Sequence, residues 1–236
     1  ALNVPLPPTS ALSTPEVSSE APTGLLELSY RPMGGVMMYG KYIRGYRQGS
    51  VNLAADPGLD SHDAEKVDTY ELGAKTSFYG AIPGRFNVAA FYNDFTDMQL
   101  QAGYVSPTAG GTTAIFNAGK ARIAGVELEV YLQLLRDLGL SLSYSHLDTK
   151  LLEQDDHRAE VAQFGGVTGA LTYTPIAVTG DTLPFAADHS GVLTLIYNLP
   201  IAEDYGALDV SATYVYTGEQ RATASTNSPF SVLSDF

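Results

Sequence analysis

The 236-residue chain contains no cysteine and no tryptophan. Without cysteine, disulfide scaffolds and thiolate metal sites are excluded. Charge is scarce at 17%, against roughly 25% in soluble domains. Basic residues are scarcest: 13 Lys+Arg stand against 26 Asp+Glu, a net charge of -13. Nucleic-acid binding needs a basic face, so no nucleic-acid partner is expected. A long apolar run is missing too. The best candidate for a spanning helix, residues 161–180, holds Gln163, four glycines, four threonines and Pro175. A spanning helix needs about 20 mostly apolar residues, so this stretch is rejected. Residues 1–23 are rich in Pro, Ser and Thr and lack a basic region followed by an apolar one. They read as a loop or disordered arm, not a signal peptide.

Motifs for catalysis are also lacking. There is no G-x-S-x-G, H-E-x-x-H or EF-hand pattern. Gly119-Lys120 is followed by Ala121 and has no glycine five residues before it, so it is no P-loop. His62, His146, His157 and His189 fit no zinc spacing. The acidic run 153–160, with Asp155, Asp156 and His157, reads as a solvated loop. No enzyme activity, metal site or cofactor is expected.

What the chain does have is tyrosine, 15 of them, with 9 Phe and 23 Gly. That mixture suits strands and turns. Alternation of period two then dominates. Tyr70, Leu72, Ala74, Thr76 and Phe78 oppose Glu71, Gly73, Lys75 and Ser77. Phe86, Val88, Ala90 and Tyr92 form another such row, as do Val126, Leu128, Val130 and Leu132 against Glu127, Glu129 and Tyr131. Leu138, Leu140, Leu142 and Tyr144 oppose serines, and Leu208, Val210, Ala212, Tyr214 and Tyr216 oppose Asp209, Ser211 and Thr213. Eight strands are predicted, at about 25–31, 35–47, 67–79, 84–104, 112–134, 138–152, 188–198 and 206–219, with a ninth starting at Ser231.

Short turns at 31–35, 79–84, 134–139 and 198–206 alternate with long polar segments at 47–67, 101–113 and 149–187. This is the layout of an up-and-down outer-membrane barrel, with short turns on one side and long loops on the other. Several predicted strands reach the 9–11 residues that a tilted transmembrane strand needs.

Two segments carry a resemblance. Residues 68–101 contain E-x-G-x-K (Glu71, Gly73, Lys75), then a short turn, then D-x-x-D-x-Q (Asp94, Asp97, Gln99). Residues 117–130 contain N-x-G-x-A-x-x-x-G-x-E-x-E, with Asn117, Gly119, Ala121, Gly125, Glu127 and Glu129. Together they resemble the C-terminal β-barrel of TonB-dependent outer-membrane receptors. The tyrosine-rich run 37–49 is similar to the family's strand leading to an extracellular loop.

The resemblance implies an all-β fold: a partial antiparallel up-and-down transmembrane β-barrel, with about eight or nine strands of a larger one. Residues 1–23 would be an extracellular loop or arm, and 24–236 the partial barrel. It implies location in the bacterial outer membrane. The function it implies is active uptake of a scarce ligand such as an iron chelate, vitamin or glycan fragment. Partners would be lipid and lipopolysaccharide, the small ligand, and the plug domain and TonB of the full-length protein. No plug or TonB-binding segment is visible, so the chain reads as a fragment. Glu71, Lys75, Glu127 and Glu129 would be structural charges facing the lumen, because a charge on the lipid side costs a few kcal/mol. Arg44, Tyr46 and Arg47, at the mouth, could meet an anionic ligand; otherwise they are loop or lipopolysaccharide-facing surface. Two other readings stay open: a complete eight-stranded adhesin or pore, and a soluble carbohydrate-binding sandwich.

Overall fold

The computed structural model describes residues 16–52, 55, 59–106, 110–154, 179–201, 206–222 and 232–235. The first long strands are β1 (Gly24–Met33) and β2 (Val36–Arg47), followed by the short β3 (Ser50–Val51) and β4 (Ser61–His62). Next come β5 (Glu65–Phe78), β6 (Gly84–Thr96), β7 (Gln99–Ser106), β8 (Gly110–Asn117), β9 (Gly119–Leu135) and β10 (Leu138–Gln154). The chain continues through β11 (His189–Leu199), β12 (Leu208–Thr217), β13 (Gln220–Arg221) and β14 (Val232–Leu233).

Eight of these form one sheet in the order β1-β2-β5-β6-β9-β10-β11-β12, and every pairing is antiparallel. The order is the sequence order, which makes the sheet an up-and-down meander. The connections after β1, β5, β9 and β11 therefore close one end. Those after β2, β6 and β10 emerge at the other, the alternation that the short–long rhythm of the connections predicts. Residues 155–178, which include the acidic run, lie outside the described residues.

Two predicted strands are divided. The expected 84–104 breaks into β6 and β7, and 112–134 into β8 and β9. Asp97 has φ 56° and Gly119 has φ 102°. Left-handed backbone of this kind turns a strand out of its ladder, and Asp and Gly tolerate it best. Met98 N–H donates to the Gly119 carbonyl at 2.8 Å across the break. Past it, β7 and β8 pair only with each other as a separate hairpin. The ninth strand is present as β14, but it pairs with β13 rather than with the large sheet.

The sheet is one layer thick. Leu28 is 78% exposed, Leu72 70% and Tyr214 65%, far too open for a soluble protein's core. Among the described residues the buried apolar side chains are Leu59, Ala114, Phe116, Ala121, Leu151 and Leu183. All belong to the loop end. Ala121, Leu151 and Leu183 pack together there with Phe95, Met98 and Ile123. Among the described residues β1 and β12 are not paired with each other, so both edges of the sheet are open.

Candidate functional site

The register sorts the side chains into two faces. Leu28, Gly40, Leu72, Ala90, Val126, His146 and His189 stand in one row across seven strands. The row Val36, Thr76, Phe86, Val130, Leu142, Leu193 and Tyr214 lies on that same face. The opposite face carries Ser29, Tyr39, Gly73, Ala89, Glu127, Ser145, Ser190 and Thr217 in one row. Met37, Lys75, Asn87, Glu129 and Ser143 form the next. Glu71, Lys75, Glu127 and Glu129 thus share one polar face.

On that face Glu71 is the centre of a cluster. Tyr39 donates its hydroxyl hydrogen to Glu71 Oε1 at 2.7 Å, and Lys41 Nζ lies 2.7 Å from Glu71 Oε2. Lys41 and Lys75 each place their ammonium 5.7 Å from the centre of the Tyr39 ring, within cation–π range. The ring itself lies over Gly73, its register partner. A Cβ at Gly73 would sit 2.5 Å from the ring atoms. The E-x-G-x-K spacing thereby has a physical reading. Period two brings Glu, Gly and Lys to one face, where the carboxylate holds the phenol, the glycine admits the ring and the lysine covers it.

The second motif repeats the device. Gly125 is opposite Phe91, and a Cβ there would meet the ring at 2.7 Å. Glu127 and Glu129, further along β9, have no ion pair among the described residues. Among the described residues Glu129 accepts from Asn87 Nδ2 alone, at 3.1 Å. The two carboxylates line an open groove of about 330 Å³ with Ser143, Ser145, Ser190 and Thr217.

The remaining motif residues build the mouth. Gln99 is 6% exposed and donates from Nε2 to the carbonyls of Gln48 at 3.0 Å and Asp63 at 2.9 Å. Its own N–H donates to Glu65 at 2.7 Å. Asn117 donates to the Asp63 and Asp97 carbonyls and accepts from the Asp63 N–H. Asn52 bonds both the N–H and the carbonyl of Ile115. Three amide side chains thus fasten the β3–β4 hairpin to β7 and β8. His62 is buried at the join, and its Nδ1 has no partner among the described residues. Burial, and secondarily the Arg47 charge, lowers its pKa from 6.5 against the weaker pull of Asp63.

Arg44, Tyr46 and Arg47 do not converge. Alternation along β2 puts Arg44 and Tyr46 on the apolar side and Arg47 on the polar side. Arg44 lies 3.3 Å from Asp68, which also accepts from the Tyr42 hydroxyl at 2.6 Å. Tyr42, Tyr70 and Tyr92 stand side by side in one row of that face. Above them Arg44, Asp68, Asp94, Arg122 and Lys150 form a charged row across five strands. A tyrosine row capped by charges is the pattern of a membrane–water boundary. Sequence reading missed Tyr39, Lys41 and Asn52, whose roles depend on partners across strands or loops.

Residues 9–236 match a protein-family model described as TonB dependent receptor-like, beta-barrel. The chain is 35% identical over 108 residues to the pesticin receptor of Yersinia enterocolitica, across 45% of this chain and 15% of that protein. It is 33% identical over 88 residues to the ferric-pyoverdine M114 receptor PbuA of Pseudomonas sp. strain M114, across 37% of this chain and 10% of that one. The fold superposes on the ferric yersiniabactin uptake receptor FyuA from Yersinia pestis with a TM-score of 0.64 at 21% identity. That match covers 91% of this chain and 28% of FyuA. The chain therefore spans less than a third of the length of these relatives.

Proposed function

Because the chain belongs to the TonB-dependent receptor β-barrel family, whose members are transport receptors of the outer membrane, we propose that it is barrel wall of a receptor importing a ferric chelate. One observation carries this reading: a single sheet divides into an apolar face and a polar face on which Lys41 pairs with Glu71, and among the described residues the compact core lies at the loop end. An apolar face of this extent suits lipid, and it holds an open groove of about 610 Å³ floored by Gly40, Ala74 and Ala90 that suits acyl chains. The charged row beyond the tyrosines suits lipopolysaccharide headgroups.

The polar face, with Glu71, Lys75, Glu127 and Glu129, turns to the lumen in this reading. Glu71 is neutralised within the wall by Lys41. Glu127 and Glu129 suit a cationic partner from a plug domain, since buried carboxylates need one. Energy for release of cargo would come through TonB, and the wall residues perform no bond chemistry. A ferric chelate is favoured as cargo because one relative is a ferric-pyoverdine receptor and the similarly folded FyuA takes up ferric yersiniabactin. Arg47, on the polar side of the mouth, is placed to meet an anionic chelate; Arg44 is held by Asp68.

The experiment is uptake of radiolabelled ferric chelates by cells with and without the receptor gene, with the inner membrane energised or uncoupled. Uptake that needs both gene and energy supports the proposal. Uptake that survives uncoupling would mark a passive pore and refute it.

A further inference from the structure

Charges on the polar face are sorted by strand. Lys75 lies near the end of β5 and Arg85 is the second residue of β6, so both stand toward the short-turn end of the sheet. The register pairs Lys75 with Asn87 and Ser77 with Arg85, which makes the two cations diagonal neighbours on one face. Such neighbours stand about 7–8 Å apart. Glu127 and Glu129 occupy the adjacent β9, with Glu129 opposite Asn87. A basic pair and an acidic pair thus lie side by side along the wall.

Lys75 and Arg85 each rest on a ring and on no acid. Lys75 Nζ lies 5.7 Å from the centre of the Tyr39 ring on β2, and the Arg85 guanidinium 5.4 Å from that of Tyr131 on β9. Both distances are within cation–π range, which positions a charge without neutralising it. Neither cation is ion-paired among the described residues. Glu71, on the same face of β5 as Lys75, is already held by Lys41 and Tyr39. Glu129, diagonal from Arg85, accepts from Asn87 instead. Lys75 leans toward β2 and Arg85 toward β9, so the two heads do not share one pair of oxygens. Both side chains are exposed on this face.

We infer that Lys75 and Arg85 are docking points for carboxylates of the plug domain, one for each cation, so that the plug surface facing β5 and β6 is acidic. The inference rests on the lumen reading of the polar face given above. Charge complementarity selects this occupant. A cation enclosed between wall and plug without an opposite charge is strongly destabilising, and a basic plug surface here would add like-charge repulsion. Cargo fits less well, because its meeting point, Arg47, lies at the far end of the strands: Arg47 is opposite Glu65, the first residue of β5, and Lys75 is near the last. Together with Glu127 and Glu129, the wall calls for a plug that is acidic toward β5 and β6 and basic toward β9. Any other rotation of the plug brings like charges together, so the sorted wall sets the angle at which the plug seats.

The test uses the full receptor in outer-membrane vesicles, free of cargo. A carbodiimide, which joins an amine to a carboxylate only where the two touch, is raised until Lys41 couples to Glu71, 2.7 Å away on the same face. Peptide mapping by mass spectrometry then shows what Lys75 has joined. An amide between Lys75 and an Asp or Glu of the plug is expected, and Lys75→Arg should abolish it. The amine introduced by Arg85→Lys should couple to a plug carboxylate as well. Heat-modifiable gel migration reports whether each variant is folded, and the wild-type reaction alone decides the matter if one is not. Lys75 left uncoupled under these conditions overturns the inference, since the cation is then merely solvated. So does coupling only to Glu71 or Glu129 of the wall, or coupling that appears only when a carboxylate chelate, ferric citrate, is added. The reaction needs neither cargo nor energy, so its failure and a failure of the uptake experiment are separate results.

Discussion

The Tyr39 ring lies over Gly73 on the adjacent strand and hydrogen-bonds through its hydroxyl to Glu71, two residues along. The two residues are 34 positions apart in sequence, yet each requires the other. A side chain at 73 displaces the ring, and a small residue at 39 uncovers bare backbone and leaves Glu71 one donor short.

Gly73→Ala should therefore destabilise the wall by about 1–3 kcal/mol, the range for overpacking. Tyr39→Ala should cost a similar amount, and the double variant less than the sum of the two. Heat-modifiability midpoints of the four proteins check this. Additive losses would mean that ring and glycine do not interact.

Gln99→Leu should loosen the mouth without unfolding the wall. It removes a buried amide that satisfies two carbonyls from the β2–β5 connection. Each unsatisfied group costs about 1–3 kcal/mol. Limited proteolysis should show faster cleavage within 48–64, while cleavage elsewhere stays unchanged.

Acid should loosen the same connection. His62 has a folded-state pKa below 6.5, chiefly through burial. Above pH 6.5 the imidazole is neutral in both states and its contribution is complete. As pH falls below 6.5 the unfolded hairpin takes up the proton first, so stability is lost toward the lowered folded-state value. Hydrogen exchange of residues 59–62 should accelerate as pH falls from 7 toward 5, after correction for the intrinsic rate. In His62→Phe that extra acceleration should vanish.

Much of this architecture was readable from period two and from loop lengths. The alternation from Tyr70 to Phe78 fixed the faces, and the short–long rhythm fixed the ends. The division of the fourth and fifth predicted strands was not readable, because polarity continues through Asp97 and Gly119 while the backbone turns. Cross-strand relations were invisible for a related reason. Tyr39 with Gly73, and His146 with His189, are neighbours only through register, which local sequence does not state. The mouth cluster failed to assemble for the opposite reason: adjacency in sequence puts Tyr46 and Arg47 on opposite faces of a strand.

Charge placement should matter by face. Val130→Arg, on the apolar side, should cost about 2–4 kcal/mol if it sits near the membrane midplane. Ser143→Arg, on the polar side beside Glu129, should cost far less. Unfolding midpoints in lipid vesicles compare the two. Equal losses would contradict the sidedness.

The most direct test is a spin-label scan along β9, from Ile123 to Gln133, using single introduced cysteines in a chain that has none of its own. Collision with oxygen, which concentrates in lipid, is compared with collision with a water-soluble nickel chelate. Oxygen access should peak at 124, 126, 128, 130 and 132 and fall at 127 and 129, with a period of two. The opposite phase, or no alternation, would contradict the assignment of the apolar face to lipid and of Glu127 and Glu129 to the lumen.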